Sequence, residues 1–108
     1  MEFPQILSDV KRRPGAYGLD GGYREFVAFI NGANAAHQGR LLQGFSSFLA
    51  GKLGEGENLY WSLLVAKISM APHLVSSPDD VLGSNEGVAI ECLFREILEF
   101  LEQRWPLL

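Results

Sequence analysis

Apolar positions recur along this chain at three- and four-residue steps, and nowhere do they alternate with period two over a useful length. The last quarter shows the pattern best. Val88, Ile90, Leu93, Phe94, Ile97, Leu98, Leu101 and Trp105 form one stripe, while Glu91, Arg95, Glu96, Glu99, Glu102 and Gln103 fill the remaining positions. A helix of 3.6 residues per turn puts those two sets on opposite faces, so the stretch predicts an amphipathic helix with a solvated charged side. Glu91 and Arg95 stand in an i,i+4 relation that supports it. Ser84 is the expected N-cap, with Glu86 in the first turn at the positive end of the helix dipole, and Pro106 marks the stop.

Shorter stripes precede it. Ile6, Leu7 and Val10 give a first helix that accommodates Pro4 in its first turn and ends at Arg13-Pro14-Gly15. Asp20 is the expected cap of a second helix, carried by Tyr23, Phe26, Val27 and Ile30 to about Asn34. Leu41, Leu42, Phe45, Phe48, Leu49 and Leu53 make the third, closed by Gly54 in a left-handed conformation. Asn58 is the expected cap of the fourth, whose stripe is Trp61, Leu64, Val65 and Ile68 and whose end is set by Pro72. The irregular stretch from Ala71 to Gly83 contains Ser77-Pro78-Asp79-Asp80, a capping box with proline at the first helical position. Gly32, Gly44, Gly51 and Gly87 fall inside predicted helices at a cost of about 1 kcal/mol each against alanine, and close helix approach is the expected compensation. The reading is an all-α single domain, residues 1–108, built as a compact bundle of about five helices.

Composition narrows the function classes. With 47% apolar and 20% charged residues the chain is an ordinary globular one, and 108 residues make one core. The single cysteine, Cys92, excludes an intrachain disulfide and fits a reducing compartment. There is no charged start followed by an apolar stretch and a cleavage site, and no apolar run long enough to span a bilayer, so a cytoplasmic protein without membrane contact is expected. A net charge of −4 repels polyanions, which argues against nucleic acid as a partner.

Residues that carry chemistry are sparse. His37 and His73 stand in no metal-ligand spacing, and neither a metal nor a cofactor is expected. Cys92 lies among Ile90, Leu93 and Phe94, where burial raises a thiol pKa, and is read as a small core residue. No serine stands in a nucleophile elbow. Asp79 with Asp80, and Glu55 with Glu57, place like charges close together. Such pairs do acid–base work only inside a cleft; loop acids are otherwise solvated, or cap a turn as Asp80 is placed to do. Lys11-Arg12-Arg13 is the one basic cluster and is read as a solvated helix end. Gly15, Gly18, Gly21 and Gly22 are turn residues, because no strand precedes them and the spacing is not that of a phosphate cradle.

The string Lys11-Arg12-Arg13-Pro14-Gly15-Ala16-Tyr17-Gly18 is similar to one in the ATP-binding domain of gyrase B subunits, a fold that needs a longer chain and a β-sheet. The chain as a whole resembles small bacterial immunity proteins. These have an opening helix, an R-RPG-x-Y element, an F-x-x-F/W-L segment, a later tryptophan and an acidic C-terminal helix. The corresponding parts are Arg12 to Tyr17, Phe45 with Phe48-Leu49, Trp61, and Glu86 to Leu101, with Ala16-Tyr17-Gly18 where the family tends to have Met-Tyr-Leu-Gly. The resemblance implies a protein without catalytic activity that binds and neutralises a cognate toxin domain, and an acidic face steers association with a basic, nuclease-like one. The expected partner-binding residues are the loop acids Glu55, Glu57, Asp79 and Asp80, with Glu86 at the adjoining helix start and Tyr60 as an aromatic anchor. Tyr17 is expected to pack its ring with the hydroxyl at the rim. The alternative is a homo-oligomeric helical adaptor, joined as a homodimer through an apolar strip of Trp105, Leu107 and Leu108.

Overall fold

Proline placement sets several boundaries. The residue before a proline is driven out of the α region: Arg13 (φ −134°, ψ 63°) closes the first helix ahead of Pro14, and Ala71 (φ −54°, ψ 138°) closes the fourth ahead of Pro72. The computed structural model describes residues 2–106. It contains α1 (Phe3–Arg12), α2 (Tyr23–Ala36), α3 (Phe45–Leu53), α4 (Trp61–Met70) and α5 (Glu86–Glu102), with 3-10 turns at Pro14–Tyr17, Pro78–Val81 and Gly83–Asn85. No strand occurs among the described residues, and the fold is all-α as the periodicity predicts.

Several local expectations are corrected. Gly22, not Asp20, is the N-cap of α2. The Asp20 carboxylate instead accepts from the Gly22 amide at 2.7 Å, ahead of the first helical residue, and the free amide of Tyr23 donates to Glu86 Oε2 at 2.8 Å. The third helix starts at Phe45 rather than Leu41, because Gly44 takes φ +87° and breaks the helical path. Leu42 N is satisfied by Asn34 Oδ1 at 2.9 Å. Tyr60 and Asn85, rather than Asn58 and Ser84, occupy the N-cap positions of α4 and α5. Gly54 closes α3 with φ +86° as expected. Close approach does not explain Gly32, Gly51 and Gly87: a Cβ built at each meets nothing within 4 Å, and no contact in the structure accounts for them.

α5 is the axis of the bundle. Phe94 meets Phe26 of α2 edge-on at 4.9 Å between centroids, and Phe100 lies 5.1 Å from Phe45 and 5.3 Å from Phe48 of α3. Cys92 Sγ donates to the Val65 carbonyl of α4, and Lys11 of α1 reaches Glu91 at 2.7 Å. Because neighbours surround it, its buried arc is wider than the predicted stripe and includes Ala89, Cys92, Phe100 and Glu96. Glu96 is 3% exposed, not on a solvated face, since Lys52 of α3 meets its carboxylate at 2.5 Å. Val88, expected in the core, is 56% exposed, and Leu98 is half-buried. Glu91 and Arg95 pair with Lys11 and Glu96 rather than with each other.

α3 and α4 run in the same sense. Their starts meet where Phe45 lies 5.7 Å from Trp61, and near their ends Leu53 and Lys67 line one cleft. The connection, residues 54–60, therefore returns along α4 rather than turning as a short hairpin. The molecule measures 37 × 30 × 19 Å, and its thin dimension matches two layers of helices about 10 Å across. Of the apolar strip expected at the C-terminus, Trp105 is half-buried, with its ring 6.3 Å from that of Phe3 and its indole N–H donating to Glu2. Leu107 and Leu108 lie outside the described residues.

Candidate interaction surface

The R-RPG-x-Y element is an internal clamp. α1 turns Asp9 inward, and its buried carboxylate accepts from Arg12 Nη2 at 2.6 Å, Arg13 Nη2 at 2.7 Å and Nε at 3.1 Å, and Tyr17 Oη at 2.9 Å. Hydrogen bonds from Arg13, Arg12 and Tyr17 hold the Asp9 carboxyl far below the usual carboxylate range, and the same contact raises the Tyr17 phenol. The Tyr17 ring packs edge-on to Phe29 at 5.9 Å. The basic cluster is therefore engaged rather than simply solvated: Arg12 and Arg13 belong to Asp9 and Lys11 to Glu91. Sequence reasoning missed Asp9, whose only signal is its i,i+3 and i,i+4 spacing to the two arginines.

Half of the expected contact residues have structural partners. Asp79 takes a bidentate bond from Arg24, with Nε at 2.9 Å and Nη2 at 2.5 Å. Asp80 accepts from the amides of Ser76 at 2.9 Å and Ser77 at 3.2 Å, while Ser77 Oγ accepts from Asp79 N at 3.2 Å, completing the predicted capping box. The Arg24 guanidinium lowers the Asp79 pKa and the serine amides lower that of Asp80, so neither adjacent carboxylate is raised into a proton-transfer range. Glu86 closes the first turn of α2 through Tyr23 N.

Glu55, Glu57 and Tyr60 stand apart from that group, on the returning segment. Gly56 fixes this segment against α4: its φ is +94°, and a Cβ there would lie 2.8 Å from Leu64 Cδ2 and 3.2 Å from Leu59 Cδ1, so only glycine fits. Glu55 and Glu57 flank it, both exposed, with no hydrogen bond or ion pair to their side chains among the described residues. Tyr60 is 84% exposed, whereas its neighbour Trp61 is buried and donates to Asn31 Oδ1 at 3.0 Å.

The segment after α4 completes the surface. Val75 is buried, and its carbonyl accepts from Lys67 Nζ at 2.8 Å, which pins the chain and turns Leu74 fully outward, 99% exposed. Leu53, Glu55, Lys67, Ala71, Pro72, His73, Leu74 and Val75 line a cleft of about 160 Å³. Sequence reasoning missed this half. Leu74 belongs to no stripe, and its one signal is an isolated apolar residue between Pro72 and Ser76 in a polar loop.

Charge is distributed unevenly over this arrangement. Lys11, Arg12, Arg13, Arg24, Lys52 and Arg95 are held in ion pairs, and Arg104 donates to the carbonyls of Leu41 and Arg40 at 3.1 Å each. Among the described residues, bare carboxylates remain at Glu55, Glu57 and Glu102. Burial raises the Cys92 thiol, which stays protonated at neutral pH. His37 Nδ1 bonds the Ala33 carbonyl at 2.7 Å. Among the described residues no three His, Cys, Asp or Glu side chains converge as metal ligands. No family model, curated protein or solved structure matches the chain.

Proposed function

We propose that this protein is an immunity-type inhibitor, which binds a basic toxin domain through the surface formed by residues 54–60 and 71–75 and thereby covers the toxin's active or another essential surface. The observation that supports the reading is the unpaired carboxylate of Glu55 beside the outward Leu74 on one cleft, with Glu57 and Tyr60 exposed further along the same returning segment. An aromatic or aliphatic anchor within a charged rim is the make-up of an interface that steers a partner by charge and then holds it by desolvation. The −4 net charge extends that attraction beyond the contact itself. Asp79, Asp80 and Glu86 take a supporting part through their field, since their contacts hold the fold together.

Capture from a lysate of the source organism at low and high salt, followed by co-expression, tests the reading. The captured domain should be basic, should bind less well as salt rises, and should arrest growth when expressed alone. Growth should return with this protein and not with its Glu55→Lys/Glu57→Lys variant. A captured partner that is not toxic overturns the inhibitor reading; full rescue by the variant removes this surface from it.

A further inference from the structure

A glycine that follows an aspartate or asparagine leaves the preceding side chain open to attack by the main chain, because its amide nitrogen has no side chain beside it to hinder the approach. The chain has two such pairs, Asp20–Gly21 and Asn31–Gly32. In an unfolded peptide the asparagine reacts faster, since an amide is a better electrophile toward that nitrogen than an ionised carboxylate. The fold reverses the order. Asn31 lies within α2, where Gly32 continues the helix, and its side-chain oxygen accepts from the Trp61 indole N–H at 3.0 Å. A five-membered ring through Cγ and the next nitrogen closes only when ψ turns far from the helical value near −42°, so α2 must open first. Asp20 meets no such restraint. It is exposed, lies in no helix, and precedes Gly21, whose φ is +89° and whose amide makes no hydrogen bond among the described residues. Its carboxylate bonds forward to the Gly22 amide at 2.7 Å, closing a ring that contains both reacting atoms, Asp20 Cγ and Gly21 N.

We propose that Asp20 is a site of covalent modification, isomerisation to isoaspartate through a succinimide, and that the folded chain confines this chemistry to Asp20. The Gly21 nitrogen bonds to Cγ of the protonated carboxyl, and the amide proton leaves with the hydroxyl as water. Water then adds to either carbonyl of the imide. Opening at Cγ restores aspartate; opening at the former main-chain carbonyl leaves Gly21 attached to Cγ and releases an α-carboxylate. Nothing is oxidised or reduced, and the water lost in the first step is regained in the second, so the mass is unchanged. The isomer lengthens the main chain by one methylene in the turn that enters α2. Its α-carboxylate is the chemical class that a carboxyl methyltransferase using S-adenosylmethionine takes as substrate.

The test incubates the full chain in neutral buffer and in urea that unfolds it. Peptides from successive digests are separated and fragmented by electron transfer, which distinguishes isoaspartate from aspartate of equal mass. Methyl uptake from S-adenosylmethionine in the presence of an isoaspartyl methyltransferase is the second readout. In buffer, isoaspartate should accumulate at position 20 while Asn31 stays intact. Urea should speed the loss of Asn31 at least about tenfold and change the rate at Asp20 less than about threefold, because only Asn31 waits for a helix to open. Asp20→Glu, which would need a six-membered ring, should abolish methyl uptake in buffer and leave Asn31 protected. No isoaspartate at position 20 in buffer, loss of Asn31 before unfolding as fast as that of Asp20, or an acceleration in urea as large at Asp20 as at Asn31 would overturn the proposal. So would methyl uptake that persists in Asp20→Glu, which would place the reactive residue elsewhere.

Discussion

Asp9 is a carboxylate surrounded by Arg12, Arg13 and Tyr17, and its pKa in the folded protein lies far below the roughly 3.9 of an unfolded aspartate. A depressed folded pKa means that the unfolded chain takes up the proton first on acidification. The contribution of Asp9 is therefore complete above about pH 5 and is lost as pH falls through 4 and below. In Asp9→Asn that contribution is absent at every pH. Urea midpoints should be lower for the variant at pH 7, and the gap to wild type should narrow as pH falls below 4; parallel curves would show that the clamp does not stabilise the fold. The core makes a second claim at this scale. Phe94→Ala should cost about 3 to 5 kcal/mol, the range for emptying a buried aromatic site, and Val88→Ala less than about 0.5 kcal/mol, as an exposed position does. Denaturant unfolding of both variants fixes the register of α5. Phe94 was legible from the three-and-four spacing because it sits in the middle of the stripe. Val88 and Glu96 were not, because a helix with neighbours on several sides buries a wider arc than one stripe describes, and a carboxylate enters that arc when a lysine from another helix meets it.

At the scale of elements, long-range partners replace the local caps that spacing suggests. Asp20 had the right residue type and place to cap α2, yet Glu86, distant in sequence, accepts from the first helical amide. A single sequence does not show which chain ends meet in space. Glu86→Ala should accelerate hydrogen exchange at the Tyr23 amide and cost on the order of 1 kcal/mol, the usual worth of a cap. Unchanged exchange would show that the first turn of α2 does not depend on α5. By contrast, the capping box at Ser77 to Asp80 was legible because all its partners lie within four residues. Glycines divide in the same way. Gly32 lies inside α2 with open space around its Cα, so Gly32→Ala should stabilise by up to about 1 kcal/mol. Gly56→Ala should destabilise by about 1 to 3 kcal/mol, since its left-handed backbone and Leu64 both oppose a Cβ. Thermal unfolding of the pair separates a glycine the helix does not need from one that holds the returning segment.

For the molecule as a whole, the placement of charge matters more than its sum. The −4 of the chain is the same wherever the acids lie, but ion pairs and main-chain donors engage Asp9, Asp79, Asp80 and Glu86, while Glu55 and Glu57 face solvent bare. The contact candidates are four acids in predicted loops, Glu86 at a helix start and Tyr60 as an aromatic anchor; only the tertiary structure distinguishes those with internal partners from those without, and only it brings Leu74 beside Glu55. Two reversals of equal size make the distinction measurable. Glu55→Lys/Glu57→Lys should leave the midpoint of unfolding within about 0.5 kcal/mol of wild type, because it breaks no contact among the described residues. It should slow association with a basic partner and flatten the dependence of that rate on salt, since steering acts over about a Debye length of the contact. Asp79→Lys/Asp80→Lys should do the reverse. It removes the Arg24 pair and the capping box and so lowers the midpoint of unfolding, and it changes association less because those carboxylates are engaged by internal partners. Stopped-flow association at several ionic strengths, paired with urea unfolding, reads both effects. A larger loss of association rate in the Asp79 and Asp80 variant would move the contact surface to the 3-10 turn at Pro78–Val81.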